Sequence, residues 1–269
     1  MALIQLNGID LNVQTEGSGE LVVLVMGTGS PGRVWRSYQV PALVEAGYRV
    51  AFFDNRGIKP SSECAGGFTI DDMVADTAAL ITHLGGGQPA HVIGTSLGAR
   101  ITQELALAQP SLVRSAVLMA TYGRPEPVMQ AWSRALCDLH DQGAEVPAAF
   151  YAAASVVRNV SRSTLADPRT AQDWLQMYEF AGSSLSAGDR AQLALSDFDS
   201  RLEAYRAITA RTLVVGFADD LVLPPRLSRE VADAIPGARY TEVAGCGHIG
   251  YLERPDEVNR LLLEFLRAG

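Results

Sequence analysis

The chain has 269 residues, 48% hydrophobic and 19% charged, enough for one large core and better suited to one α/β domain with an insertion than to two equal domains. Its net charge of −8 and the lack of any basic run argue against nucleic acid as a partner. No apolar stretch approaches the roughly 18–20 residues needed to span a bilayer, and no basic leader opens the chain, so neither a membrane nor a signal peptide is expected.

The first twenty residues predict a hairpin. Residues 3–6 and 9–13 flank Asn7-Gly8, a strong two-residue turn signal. Short apolar runs at 21–26, 48–53, 91–93, 116–119, 212–217 and 240–243 then alternate with helical patterns at 34–46, 69–84, 97–108, 225–234 and 255–267. Continuous apolar strands between helices imply a mostly parallel sheet covered on both faces. One interval breaks the rhythm. Residues 123–207 carry helix-like segments and no strand pattern, which predicts a helical cap inserted into a core made of 1–122 and 208–269. Of the cap aromatics, Trp132, Tyr151, Trp174 and Tyr178 are expected as a set to line a substrate pocket, although each taken singly reads rather as packing the cap onto the core.

Gly94-Thr95-Ser96-Leu97-Gly98 spells G-x-S-x-G between an apolar run and a helical pattern. Strand, serine, helix is the context of a nucleophile elbow. Such a turn forces the serine into a strained conformation and needs small residues two positions to either side, here Gly94 and Gly98. A serine hydroxyl needs a base, and the base needs a group that orients it. Of the four histidines, His83 ends a helix, His91 begins the strand that leads to Ser96, and His140 lies in the cap. His248 alone sits in a glycine-bounded loop after the last strand pattern, which makes it the expected base. The orienting acid should also follow a strand, and Asp219 and Asp220 both do.

Taken together, these residues resemble the α/β-hydrolase family over nearly the whole chain. The matching pieces are Val25-Met26-Gly27-Thr28-Gly29, Asp54-Asn55-Arg56-Gly57, the Gly94–Gly98 elbow, Asp219-Asp220 with Pro224-Pro225, and Gly245–His248. The resemblance implies an α/β-hydrolase fold: a mostly parallel sheet, an N-terminal antiparallel hairpin and an inserted cap. It selects Asp220, four residues before Pro224, and implies a triad of Ser96, Asp220 and His248. It also implies an oxyanion hole made by the backbone N–H groups of Thr28 and Leu97. Two positions depart from the family pattern. Met26 stands where the family usually has His, and Lys59 replaces the second glycine of the Asp54 motif. Lys59 is expected to be solvated, and Asp54 and Arg56 to hold their loop.

The expected activity is that of a serine hydrolase on a small to medium, largely apolar ester, thioester or β-dicarbonyl compound, through an acyl-enzyme and without metal or organic cofactor. The same triad also serves perhydrolases, lyases, cyclases and carbon–carbon hydrolases, and a ligand-binding receptor could retain it. Gly27-Thr28-Gly29-Ser30-Pro31-Gly32 also matches the dinucleotide fingerprint, with Asp54 as its acid, but that reading leaves Ser96, Asp220 and His248 unexplained. Cys64, Cys137 and Cys246 are odd in number and far apart; they form no disulfide framework and suit a reducing cytoplasm. Cys246 reads as a small buried residue. Oligomeric state is not legible.

Overall fold

The computed structural model describes residues 2–182 and 184–268; Met1, Ser183 and Gly269, at the outer edges of the expected core and within the expected cap, lie outside it. The strands are β1 (Ala2–Leu6), β2 (Ile9–Glu16), β3 (Leu21–Val25), β4 (Arg49–Phe53), β5 (Ala90–Thr95), β6 (Val113–Met119), β7 (Arg211–Phe217) and β8 (Arg239–Val243). They form one sheet in the order β1-β2-β4-β3-β5-β6-β7-β8. β2 is antiparallel to both its neighbours, and all pairings from β4 to β8 are parallel. Asn7 and Gly8 both take positive φ, 47° and 76°, as a two-residue turn between right-twisted strands requires.

The helices are α1 (Gln39–Glu45), α2 (Ile70–Gly85), α3 (Leu97–Ala108), α4 (Pro127–Asp141), α5 (Ala148–Asn159), α6 (Arg162–Leu165), α7 (Pro168–Ala181), α8 (Ala187–Ala194), α9 (Pro225–Ala234), α10 (Gly250–Glu253) and α11 (Pro255–Arg267). Alternate strand residues feed two cores. Val23, Val25, Val92, Leu118 and Val214 pack toward α2, α3 and α9. Val22, Leu24, Ile93, Val117 and Val215 pack toward α1 and α11. Burial on both sides explains why these strands read as unbroken apolar runs.

The helical pattern expected over 34–46 is two elements. A 3-10 turn, Gly32–Ser37, is separated from α1 by Tyr38, at φ −145° and ψ −44°. Pro41 supplies the reason: it has no N–H to offer the Ser37 carbonyl, and its ring clashes with a helical residue four positions earlier.

Helices α4–α8 fill the chain between β6 and β7, with no strand among the described residues there. They pack in pairs, α5 on α7 and α4 on α8. α8 fastens this insertion to the core. Gly188 lies so close to Gly57 that a Cβ on it would overlap the Gly57 backbone. Arg100 on α3 also reaches across, Nη1 donating to the Leu195 carbonyl at 2.5 Å.

Candidate active site

β5 ends at Thr95 and α3 begins at Leu97, so the whole reversal falls on Ser96. Its φ of 54° and ψ of −120° lie in a region that costs a non-glycine residue roughly 1–3 kcal/mol. Its neighbours hold it there. The Ser96 N–H donates to the Met119 carbonyl at 3.0 Å, and its own carbonyl accepts the Ala99 and Arg100 N–H groups at 3.0 and 3.1 Å. A Cβ on Gly94 would overlap the Gly98 carbonyl, and one on Gly98 would overlap that of Val25. The two glycines are therefore conditions of the turn.

The loop after β3 lies against this elbow: a Cβ on Gly27 would sit 3.2 Å from that of Ser96. Three contacts fix the loop. Asn55 Nδ2 donates to the Met26 carbonyl at 2.8 Å, the Gly29 N–H donates to Gln192 Oε1 at 2.9 Å, and the Gly32 N–H donates to Asp54 Oδ1 at 2.7 Å. Gln192, on α8, also donates through Nε2 to the Arg56 carbonyl at 2.8 Å. Among the described residues, neither the Thr28 nor the Leu97 N–H has a hydrogen-bond partner. Two unpaired donors on held backbone beside a serine suit the stabilisation of developing negative charge. The same contacts dispose of the dinucleotide reading, because Asp54 spends its second oxygen on Asn12 Nδ2 at 2.7 Å and is 3% exposed.

Asp220 lies three residues beyond β7, its side chain fully buried. One oxygen accepts His248 Nδ1 at 2.8 Å; the other accepts the Val222 and Leu223 N–H groups, each at 2.8 Å. This arrangement places a proton on Nδ1 and leaves Nε2 as the basic nitrogen. Asp219 is exposed and offers only its N–H, to the Cys246 carbonyl at 3.0 Å. The His248 loop is held from below, with the Gly247 N–H on Glu253 Oε1 at 2.6 Å and the Ile249 N–H on the Asn159 carbonyl at 3.4 Å. Further along, the Tyr251 hydroxyl reaches Met26 Sδ at 3.7 Å. The chain leaving β8 thus returns across the C-terminal edge of the sheet to the end of β3, beside the elbow. Asp220 and His248 are joined directly, whereas Ser96 Oγ makes no hydrogen bond among the described residues, so its link to His248 is open.

The remaining candidates have other uses. His91, at the far end of β5, bonds Ser115 Oγ at 2.7 Å, and burial lowers its pKa. Burial, followed by the nearby Glu253, pushes the Cys246 thiol up to about 12, which leaves it unreactive. Arg56 clamps Asp76 with two contacts of 2.6 Å, and Lys59 pairs with Glu63 at 3.2 Å on the exposed surface. No group of three or more His, Cys, Asp or Glu side chains is placed to hold a metal among the described residues.

The four expected pocket aromatics are spread through the insertion. Trp132 is 40% exposed and lies 4.4 Å from the Arg158 guanidinium. Tyr151 lines a cavity of about 350 Å³ with Leu136, His140 and Leu185. Trp174 and Tyr178 are half-buried on α7, and burial pushes the Tyr178 hydroxyl up to about 12. Gln192, Glu253 and Arg158 went unnoticed in the sequence. Their partners lie from 6 to 163 residues away, and no local pattern marks them.

Strand order, elbow and acid–histidine pair together define an α/β-hydrolase, and the family model for the alpha/beta hydrolase fold matches residues 20–255. The chain belongs to that family. It is 47% identical over 260 residues to a Mycobacterium tuberculosis protein provisionally named non-heme bromoperoxidase BpoC, covering 97% of this chain and 98% of the relative. A solved structure of Rv0554 from Mycobacterium tuberculosis superposes with a TM-score of 0.92 at 46% identity, covering 97% of this chain and 94% of that one. A thermophilic esterase from Thermogutta terrifontis gives a TM-score of 0.83 at 25% identity, with coverage of 97% and 94%.

Proposed function

We propose that the protein is a serine hydrolase in which Ser96 is the nucleophile, His248 the base and Asp220 the orienting acid. One observation carries the reading: a buried carboxylate holds His248 by Nδ1 at 2.8 Å, on the same sheet edge as a serine kept at a strained φ of 54°. His248 Nε2 takes the Ser96 proton as the oxygen attacks a substrate carbonyl. The Thr28 and Leu97 N–H groups stabilise the oxyanion; removing one such donor costs about 3–4 kcal/mol in other hydrolases. Collapse expels the leaving group, which takes the proton back from His248. Water then cleaves the acyl-enzyme with His248 again as base.

The helices between β6 and β7 act as a cap over this edge, and the substrate is an ester, thioester or β-dicarbonyl compound with a substantial apolar part. The bromoperoxidase name of the Mycobacterium relative favours a second reading on the same machinery. There, hydrogen peroxide replaces water in attacking the acyl-enzyme, and a peracid and free Ser96 result. A panel of p-nitrophenyl esters tests the first reading. Hydrolysis should rise from acetate to medium chains. No turnover of any ester, with added peroxide giving peracid from a carboxylic acid, would favour the second.

A further inference from the structure

Arg158 stands in the last turn of α5. Its Nε and Nη1 atoms are sealed from solvent and have no hydrogen-bond partner among the described residues. The ionisable groups that act on it are Tyr151 and Tyr178, neither of them a carboxylate. Arg56, by contrast, clamps Asp76, and the buried Arg100, whose Nε is likewise unpaired, still donates Nη1 to the Leu195 carbonyl at 2.5 Å. The Trp132 ring faces the Arg158 guanidinium at 4.4 Å, but a ring supplies no acceptor for the in-plane N–H groups. Leaving two sealed nitrogens of a half-buried cation without acceptors is costly, and burial lowers the pKa of this guanidinium.

The position is next to the proposed chemistry. The following residue, Asn159, accepts the Ile249 N–H at 3.4 Å and packs against Gly247, on either side of His248. Burial, and after it the nearby Tyr178, raises the pKa of the Tyr251 hydroxyl, and Tyr251 touches Met26, one residue before the glycine under Ser96.

We propose that Arg158 is a carboxylate subsite: the substrate carries an anionic carboxylate that accepts the two unpaired N–H groups, remote from the carbonyl that Ser96 attacks. The guanidinium fork matches the two oxygens of such a group. The Tyr178 hydroxyl, protonated at neutral pH, is an additional donor. The substrate then has an apolar body, a reactive carbonyl and an acidic end. The assignment of the reacting end rests on the serine-hydrolase reading; the binding of the carboxylate does not.

The test uses 4-phenylbutyrate and its neutral isostere 4-phenylbutyramide, by thermal shift and calorimetry, on the full chain. The acid should raise the Tm of the wild type and the amide should not. Arg158→Met should weaken acid binding at least about tenfold and leave the free protein's Tm unchanged or higher, since it removes a half-buried charge with unpaired donors. Arg158→Gln should behave likewise. Acid binding that persists in both variants, equal binding of acid and amide, or no binding of the acid would overturn the subsite. Labelling of wild-type Ser96 by a neutral fluorophosphonate tests the serine-hydrolase reading separately. Its absence, with acid binding still dependent on Arg158, would remove that reading alone.

Discussion

At the residue scale, the site depends on which of two adjacent carboxylates faces His248. Asp220 is buried with both oxygens occupied, and Asp219 is exposed with an idle side chain. Asp220→Asn should therefore lower kcat/KM by about 10⁴-fold, through the wrong imidazole tautomer, while Asp219→Asn should stay within a few-fold of wild type. Equal losses in steady-state assays would reassign the acid. Asp220 was legible only through its distance from Pro224 in a resembling family, because both aspartates follow β7 equally well. Ser96 was legible directly, since strand, glycines and helix all lie within a few residues of it. His248 was reached by elimination among four histidines, and its Nδ1 lies 2.8 Å from Asp220.

At the element scale, the strands and most helices follow from apolar pattern alone, because the sheet is buried on both faces. The pattern at 34–46 misled because the amphipathic spacing runs through Pro41 without registering its missing N–H. What no pattern carried is how α8 meets the loop after β3. Gln192 joins the Gly29 N–H to the Arg56 carbonyl across 163 and 136 residues. It occupies the donor next to Thr28 and so anchors the peptide that adjoins the proposed oxyanion donor. Gln192→Ala should lower kcat by about tenfold with KM nearly unchanged, as expected for a loosened transition-state donor. A raised KM with unchanged kcat would place Gln192 in substrate binding instead.

At the scale of the whole molecule, three strand ends and one returning loop meet on one edge of the sheet. Ser96 follows β5, Asp220 follows β7 and His248 follows β8, and the segment beyond His248 runs back to Met26 after β3. The insertion touches this edge through Gln192, Asn159, Ser161 and Ser163. We propose that substrate choice lies with those helices, whose aromatics suggest a pocket in the sequence without giving its shape. The sharpest check of the account is intact-mass detection of a fluorophosphonate adduct on the purified protein. A single adduct on Ser96 should form in the wild type, none in Ser96→Ala, and His248→Ala should slow its formation by several orders of magnitude. An adduct that forms as fast in Ser96→Ala as in the wild type, or none in either, would contradict a serine nucleophile at this edge.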